Sequence, residues 1–402
     1  MERQAEIYVK VAEKEELEKN LENLLFKVYR QAVGVKIVHA DPLLKKYRKN
    51  SLAWKLYATI DKKEDKIMED KTFVLRKYND DKSYDNNVRM HAEMYNCFKN
   101  EESSKKILMH KFTELQPGIG RNVGTFLKPL DWDDEMKQSH EFFKDKNLTL
   151  VEHVQEKPFD ERFDQKADFW DIQPALDPLV ILMDRMPWFE KKSEVIKKLK
   201  TLELNDYTKG FMNIIVSSNF SPEEINGVKE NFEDLVKRYM MDEKQRAIIQ
   251  YDGYPWHNNG SYLLDLNGLC WGSKSLQFGA SFGHPDIFNR IEDHNKTIPF
   301  LFVDTYQKLK LERLYQQYSL GNAEKNGKKE TPLVEGFYLG AVCANSNLVV
   351  DYAGYLSKDE ETSLLKTIKT QMKILSEKEI EKAKKINNII EKKELVYSSE
   401  NL

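Results

Sequence analysis

The stretch SLQFGASFG, residues 275–283, decides how the chain is read. It places Gly279 and Gly283 four apart, each behind a phenylalanine, directly after the short apolar run LCW. Glycine tolerates φ > 0 at no steric cost. The stretch therefore reads as a tight loop following a short strand, the kind of turn that holds a metal or a phosphate. No acid stands at its head, and Gln277 occupies the place of a charged ligand. An active site, a retired one and an ordinary turn all fit these residues.

Working outward, 402 residues with 40% apolar and 32% charged side chains describe a soluble globular chain of two lobes or two to three domains. A net charge of -3 gives no strongly basic footprint, so neither nucleic acid nor an anionic membrane is the expected partner. Cys97, Cys270 and Cys343 match no metal-ligand or redox spacing, which points to a reducing compartment. MERQAEIYVK at the start is charged from its second residue, and no window approaches a membrane span. The expected location is cytoplasmic or nuclear.

The pattern along the chain divides into four parts. Leu17, Leu21, Leu24 and Leu25 stand at helical spacing in a charged leader, 1–34. From 35 to 130, short β-rich runs follow one another (VKIVHA, LAWKLYATI, TFVLRKY, KILMHKF, VGTFL) around one helical segment, NVRMHAEMYNCF. From 131 to 355 the chain is mostly helical. Ser221, Pro222 and Glu224 form a capping box with proline at the first helical position. AIIQYDGYPWHNNGSYLLDLNGLCW then reads as loop, strand, turn and strand. GNAEKNGKK, 321–329, is a polar loop, and VEGFYLGAVCANSNLVV a further helix. A C-terminal helix and tail, 356–402, opens with a second capping box, Ser357 and Glu360.

The expected fold class is thus α+β, a two-lobed protein-kinase-like fold with a β-rich N-lobe and a mostly helical C-lobe. Phosphoryl transfer needs a cation for the ATP phosphates, an acidic or amide pair for magnesium and a residue that orients the acceptor. In FVLRKYNDDKSYD, residues 73–85, Lys77, Asp80, Asp81 and Asp85 resemble the K-x-x-[ED]-D-x-x-x-D pattern of the phosphatidylinositol 3-/4-kinase superfamily, closest to its phosphatidylinositol 3-kinase-related protein kinases. Downstream, QFGASFG resembles the Asp-Phe-Gly loop of that family, and Pro299-Phe300 its later Pro-Phe. The resemblance implies nucleotide-binding roles for Lys77, Asp81 and Asp85. It also implies ATP and Mg²⁺ as cofactors if the protein is active, and none if it is not.

The catalytic loop departs from the family. Aligned on Gly253 and Asn259, it has Tyr254, Pro255 and Trp256 where Asp, Arg and His are expected. Asn259 keeps one magnesium-ligand position, and Gln277 replaces the other. A hard cation selects anionic oxygen, and loss of a general base alone costs about 10²–10⁴ in rate. The first expectation is therefore a pseudokinase acting through protein partners. A live protein or lipid kinase with relocated ligands is the second. The third rests on Gln250-Tyr251-Asp252 with Asn258, which is similar to the His-x-Asp-x-x-x-x-Asn loop of aminoglycoside- and choline-kinase-like enzymes, off by one and without the histidine. It makes Asp252 the catalytic carboxylate and expects an acidic pocket for a cationic acceptor.

The same residues have plainer readings. Lys77 is an ordinary strand lysine, Asp80, Asp81 and Asp85 form a turn and a helix cap, and His91 and Glu93 lie on a helix surface. Trp256 and Trp271 fill space, and Gly279 and Gly283 serve a turn.

Overall fold

Alternation in VKIVHA, LAWKLYATI and TFVLRKY is realised as three long strands, β1 (Ala32–Pro42), β2 (Ser51–Lys62) and β3 (Met68–Tyr78). The computed structural model describes residues 11–43, 51–62, 68–112, 126–154, 178–179, 182–183, 186–191, 193–259, 262–264, 266, 268–291, 293–298, 333–378 and 380–393. Residues 123–125 of VGTFL, Pro299-Phe300 and the loop 321–329 lie outside the described residues. By its contacts the chain divides into two compact units, Met1–Lys99 with Phe126–Gln155, and Asn100–Thr125 with Glu156–Leu402. The first carries the main sheet and the second is mostly helical, so the fold is α+β.

In the first unit a short pair, β4 (Trp132–Asp133) and β5 (Gln138–Ser139), and the short helix α3 (Glu141–Asp145) lead into β6 (Leu148–Glu152); the main sheet has the order β1-β2-β3-β6, and each neighbouring pair is antiparallel. The sequence reading missed β6 and expected helix beyond Asp131. Five residues carry too little alternation to stand out in the sequence, and β6 is a strand that pairs with β3. Successive strand residues face opposite sides. One face takes Leu56, Phe73, Leu75 and Leu150, covered by Leu21, Leu24 and Leu25 of the leading helix α1 (Val11–Val28). The other face carries Tyr78 against Tyr84 and Val88 of α2 (Asp81–Phe112).

The helix α2 corrects two expectations. KILMHKF continues it instead of forming a strand, as an apolar run of that length fits either period. His91 is buried, not on the surface. The helix start is set by Asp80, whose carboxylate accepts from Ser83 N at 2.8 Å and Ser83 Oγ at 2.7 Å.

Asp131 ties the α2 face together. It is buried, and its carboxylate accepts from Thr149 Oγ1 (2.7 Å), Leu150 N (2.8 Å) and the Tyr84 hydroxyl (3.3 Å). Burial outweighs these bonds and pushes its pKa up to about 6. Between the unfolded value near 4 and that folded value, the native state holds a proton that the unfolded chain has released. Asp131 therefore makes stability fall as pH rises through this window. Relative to Asp131→Asn, the wild type is expected to lose roughly 3 kcal/mol between pH ~4 and ~6.5, read from urea unfolding of both proteins.

The second unit is built around two helices, α6 (Lys274–Phe282) and α7 (Leu333–Asp351). SLQFGASFG is thus not a loop. Ser273 caps α6 by accepting from Ser275 N, and the helix ends at Gly283, with neither Gly279 nor Gly283 at positive φ. The glycine spacing serves packing. A Cβ on Gly279 would collide with the backbone of Gly340 and Ala341, one on Gly283 with Ala341, and one on Gly340 with the Ser275 carbonyl. Glycines four apart lie on one helix face, so Gly279/Gly283 of α6 and Gly336/Gly340 of α7 let two backbones meet directly. Residues 336–349 of α7 are all buried, as expected of a helix apolar or small on every side.

Around α7 pack α4 (Leu204–Val216), α5 (Pro222–Tyr239) and α8 (Lys358–Glu377), and α9 (Glu381–Lys392) packs on α5 and α8. Both expected capping boxes are present, Ser221 with Glu224 and Ser357 with Glu360. Val228, Phe232, Leu235, Val236 and Tyr239 of α5 are buried as their spacing requires. The single C-terminal helix is instead two, broken between Glu377 and Glu381, and Ile386 and Ile390 of the second face inward.

Candidate functional site

The departing loop joins β7 (Arg246–Gln250) to a small hairpin, β8 (Asn258–Asn259) with β9 (Tyr262–Leu263), and the chain returns along β10 (Leu269–Ser273), antiparallel to β7. The 247–271 segment therefore opens with a strand where a loop was expected. Tyr251 N donates to Gly268 O at 2.8 Å, Gly253 N to Gln250 O at 2.9 Å and Tyr254 N to Asp252 O at 2.8 Å. His257 Nδ1 closes the turn on the same Asp252 carbonyl at 2.5 Å. The backbone of Asp252 thus organises the turn, and its carboxylate is half-buried there.

The helix α6 holds this loop from beneath. Gln277 is fully buried, accepts from Gln250 N at Oε1 (2.6 Å) and donates through Nε2 to Ser281 Oγ (3.1 Å); Ser281 Oγ donates to Gly253 O (2.7 Å). A Cβ on Gly253 would run into the Gln277 amide and lie 2.7 Å from Gln250 O, which explains glycine there. Both ends of the Gln277 amide are thereby committed to the loop backbone. Gln277→Leu strands the buried Gln250 N–H and is expected to cost about 1–3 kcal/mol, measured as a lowered denaturation midpoint.

The other loop positions are packing residues. Tyr254 is buried, donates its hydroxyl to Ala344 O at 3.3 Å and stacks on Trp256 with centroids 4.9 Å apart. Trp256 meets His284 edge-on at 4.9 Å. Burial first, then the Asp252 charge, raises the Tyr254 phenol well above its ordinary range, so it stays protonated. Asn259 lies in the hairpin by its backbone, and its side chain is outside the described residues.

Two features near Asp252 have no counterpart in the sequence reading. Cys270, on β10, is buried and its thiol is pushed up to about 12, chiefly by burial and then by Asp252. It stays a neutral thiol. Asp351, at the end of α7, lies close enough that both it and Asp252 raise the Tyr251 and Tyr254 phenols, behind the larger effect of burial. Lys209 approaches this acidic neighbourhood, with Nζ 3.9 Å from Asp351 and 5.8 Å from the Tyr251 ring centroid. Gln250 is buried at the root of the loop, with no hydrogen-bond partner for its side-chain amide among the described residues.

The expected nucleotide ligands lie in the first unit. Lys77 is exposed and shares the α1 face with Leu75, because it pairs with Leu148 and stands two residues from Leu75. Its neighbour Arg76 faces the α2 side instead and donates to the Tyr78 hydroxyl at 3.5 Å. Asp81 accepts from Asn147 Nδ2 at 2.8 Å, and Asp85 is exposed on α2.

Among the described residues no group of three His, Cys, Asp or Glu side chains comes together to hold a metal ion. Gln277 and Cys270 are poor ligands for Mg²⁺, since the amide is committed and the thiol is neutral, whereas a hard cation takes anionic oxygen; Asp252 is the carboxylate that the loop itself offers. No helix among the described residues is long and apolar enough to cross a membrane.

No family model matches the chain, and no curated protein matches it either. Several solved structures superpose on it loosely. A macrolide 2'-phosphotransferase type I superposes with a TM-score of 0.45 at 11% identity, over 89% of this chain and 96% of its own. A macrolide 2'-phosphotransferase from Brachybacterium faecium gives 0.43 at 10%, over 87% and 97%. An ethanolamine kinase from Plasmodium vivax gives 0.42 at 10%, over 83% and 81%. These likenesses are slight and decide no chemistry. The finer kinship with phosphatidylinositol 3-kinase-related kinases loses one of its two main supports, because the segment matched to their metal-binding loop is the buried helix α6.

Proposed function

We propose that the protein is a small-molecule phosphotransferase whose acceptor is a hydroxyl-bearing cation, such as an amino alcohol or an aminoglycoside. The observation that carries this reading is Asp252, half-buried at the tip of a turn held by its own backbone carbonyl, with Asp351 in its neighbourhood carrying Lys209 at 3.9 Å. Asp252 is the group that receives or orients the acceptor hydroxyl, and an acceptor ammonium would take the place of Lys209 beside Asp351. ATP is the phosphoryl donor that this reading requires, and it would supply the transferred group; no step is assigned to a metal.

The commitment of Gln277 and the neutral Cys270 favour a second reading, a descendant of such enzymes that binds its ligand or a protein partner without turnover. An ADP-release assay across ethanolamine, choline, aminoglycosides and macrolides separates the two. Turnover with an amine-bearing acceptor supports the first reading; nucleotide or acceptor binding with no ADP release supports the second.

A further inference from the structure

On the α1 face of the sheet, wholly within the first unit, lies a cavity of about 440 Å³. Leu21, Trp54, Leu56, Leu75, Phe142 and Leu148 form its apolar walls. Lys77 and Lys146 stand at its edge, and they come from the same end of the β3/β6 pair: Lys77 is the register partner of Leu148, and Lys146 precedes Leu148 by two residues. Both are exposed, and neither ammonium group has a hydrogen-bond or ion-pair partner among the described residues. The other basic side chains at the rim have acidic partners, with Lys14 3.7 Å from Glu18 and His39 2.5 Å from Asp41. Glu16 is left as the uncompensated carboxylate of the lining, against two ammonium groups.

Cavities of a few hundred Å³, mostly apolar and with a few placed polar groups, suit small ligands. Lysine stems lie along apolar surface while their charges stay in water. We propose that this cavity binds a small amphipathic anion, its apolar body on the Trp54–Leu75 wall and its single carboxylate between Lys77 and Lys146. The proposal is independent of the phosphotransfer reading. Lys77 serves here as a ligand-binding residue on the face away from α2.

The test uses the full chain with octanoate, 1-octanol and octylammonium, followed by calorimetry and by the fluorescence of Trp54 against a Trp54→Phe control. Octanoate is expected to bind at least about tenfold tighter than 1-octanol, since only the acid meets the two lysines. Lys77→Glu/Lys146→Glu changes two exposed positions, so the fold is expected to persist with an unchanged unfolding midpoint. It should lose octanoate and gain octylammonium. Equal affinity for acid and alcohol, retention of octanoate by the double variant, or no octanoate binding at millimolar concentration would each overturn the proposal.

Discussion

Gly340→Ala is expected to lower the unfolding midpoint markedly, while Gly227→Ala raises it slightly. Both glycines are helical, so propensity alone favours alanine at each by about 0.5–1 kcal/mol. Gly227, on α5, has nothing within 4 Å of an added Cβ and should show that gain. At Gly340 the added carbon meets the Ser275 carbonyl and Leu276 N, which are backbone atoms of a helix and cannot turn aside as a side chain can. Overpacking of this kind costs roughly 1–3 kcal/mol, or about 3–10 °C for a unit of this size. Gly279→Ala, which collides with the same stretch of α7 from the other side, should behave alike. A Gly340→Ala protein as stable as the wild type would mean that α6 and α7 do not meet backbone to backbone.

The second large effect concerns Asp252. The turn is held by its backbone carbonyl, which takes Tyr254 N and His257 Nδ1, and a substitution at the side chain leaves those bonds in place. Asp252→Asn should therefore keep the fold and the loop while removing the negative charge. If Asp252 receives or orients the acceptor hydroxyl, kcat should fall by about 10²–10⁴ with the unfolding midpoint unchanged. Asp351→Asn, which removes charge without touching the reacting hydroxyl, should instead raise KM for the cationic acceptor and leave kcat nearly intact. Equal activity of Asp252→Asn and wild type would remove this carboxylate from the chemistry.

What the sequence disclosed follows from how local each signal is. The capping boxes at Ser221 and Ser357 are contained in four residues, and both helices start where those residues say. β1, β2 and β3 are long enough for alternation to be unambiguous. SLQFGASFG misled because glycine is a poor helix former, and its value here appears only when a second helix with the same spacing, Gly336 and Gly340, is brought against it. That partner is about sixty residues away along the chain, so no local pattern announces it.

The site was legible only in part, for a related reason. Asp252 could be picked out by its place in QYDGYPWHN, but Asp351 belongs to the far end of α7 and joins it only through folding. Lys77 and Arg76 are adjacent, and period-2 alternation says that they face opposite ways without saying which way is which. The packing of α1 over Leu75 and of α2 over Tyr78 decides it.

The most direct test of the account is calorimetric binding of an aminoglycoside, kanamycin, to the wild type, to Asp252→Asn and to Asp252→Asn/Asp351→Asn. The acceptor reading predicts that the wild type binds, that affinity falls with the first substitution and falls again with the second, and that raised salt weakens binding in the same order. Binding of equal strength to all three proteins, or binding that salt does not touch, would contradict it and move the function of this chain away from the Asp252 loop.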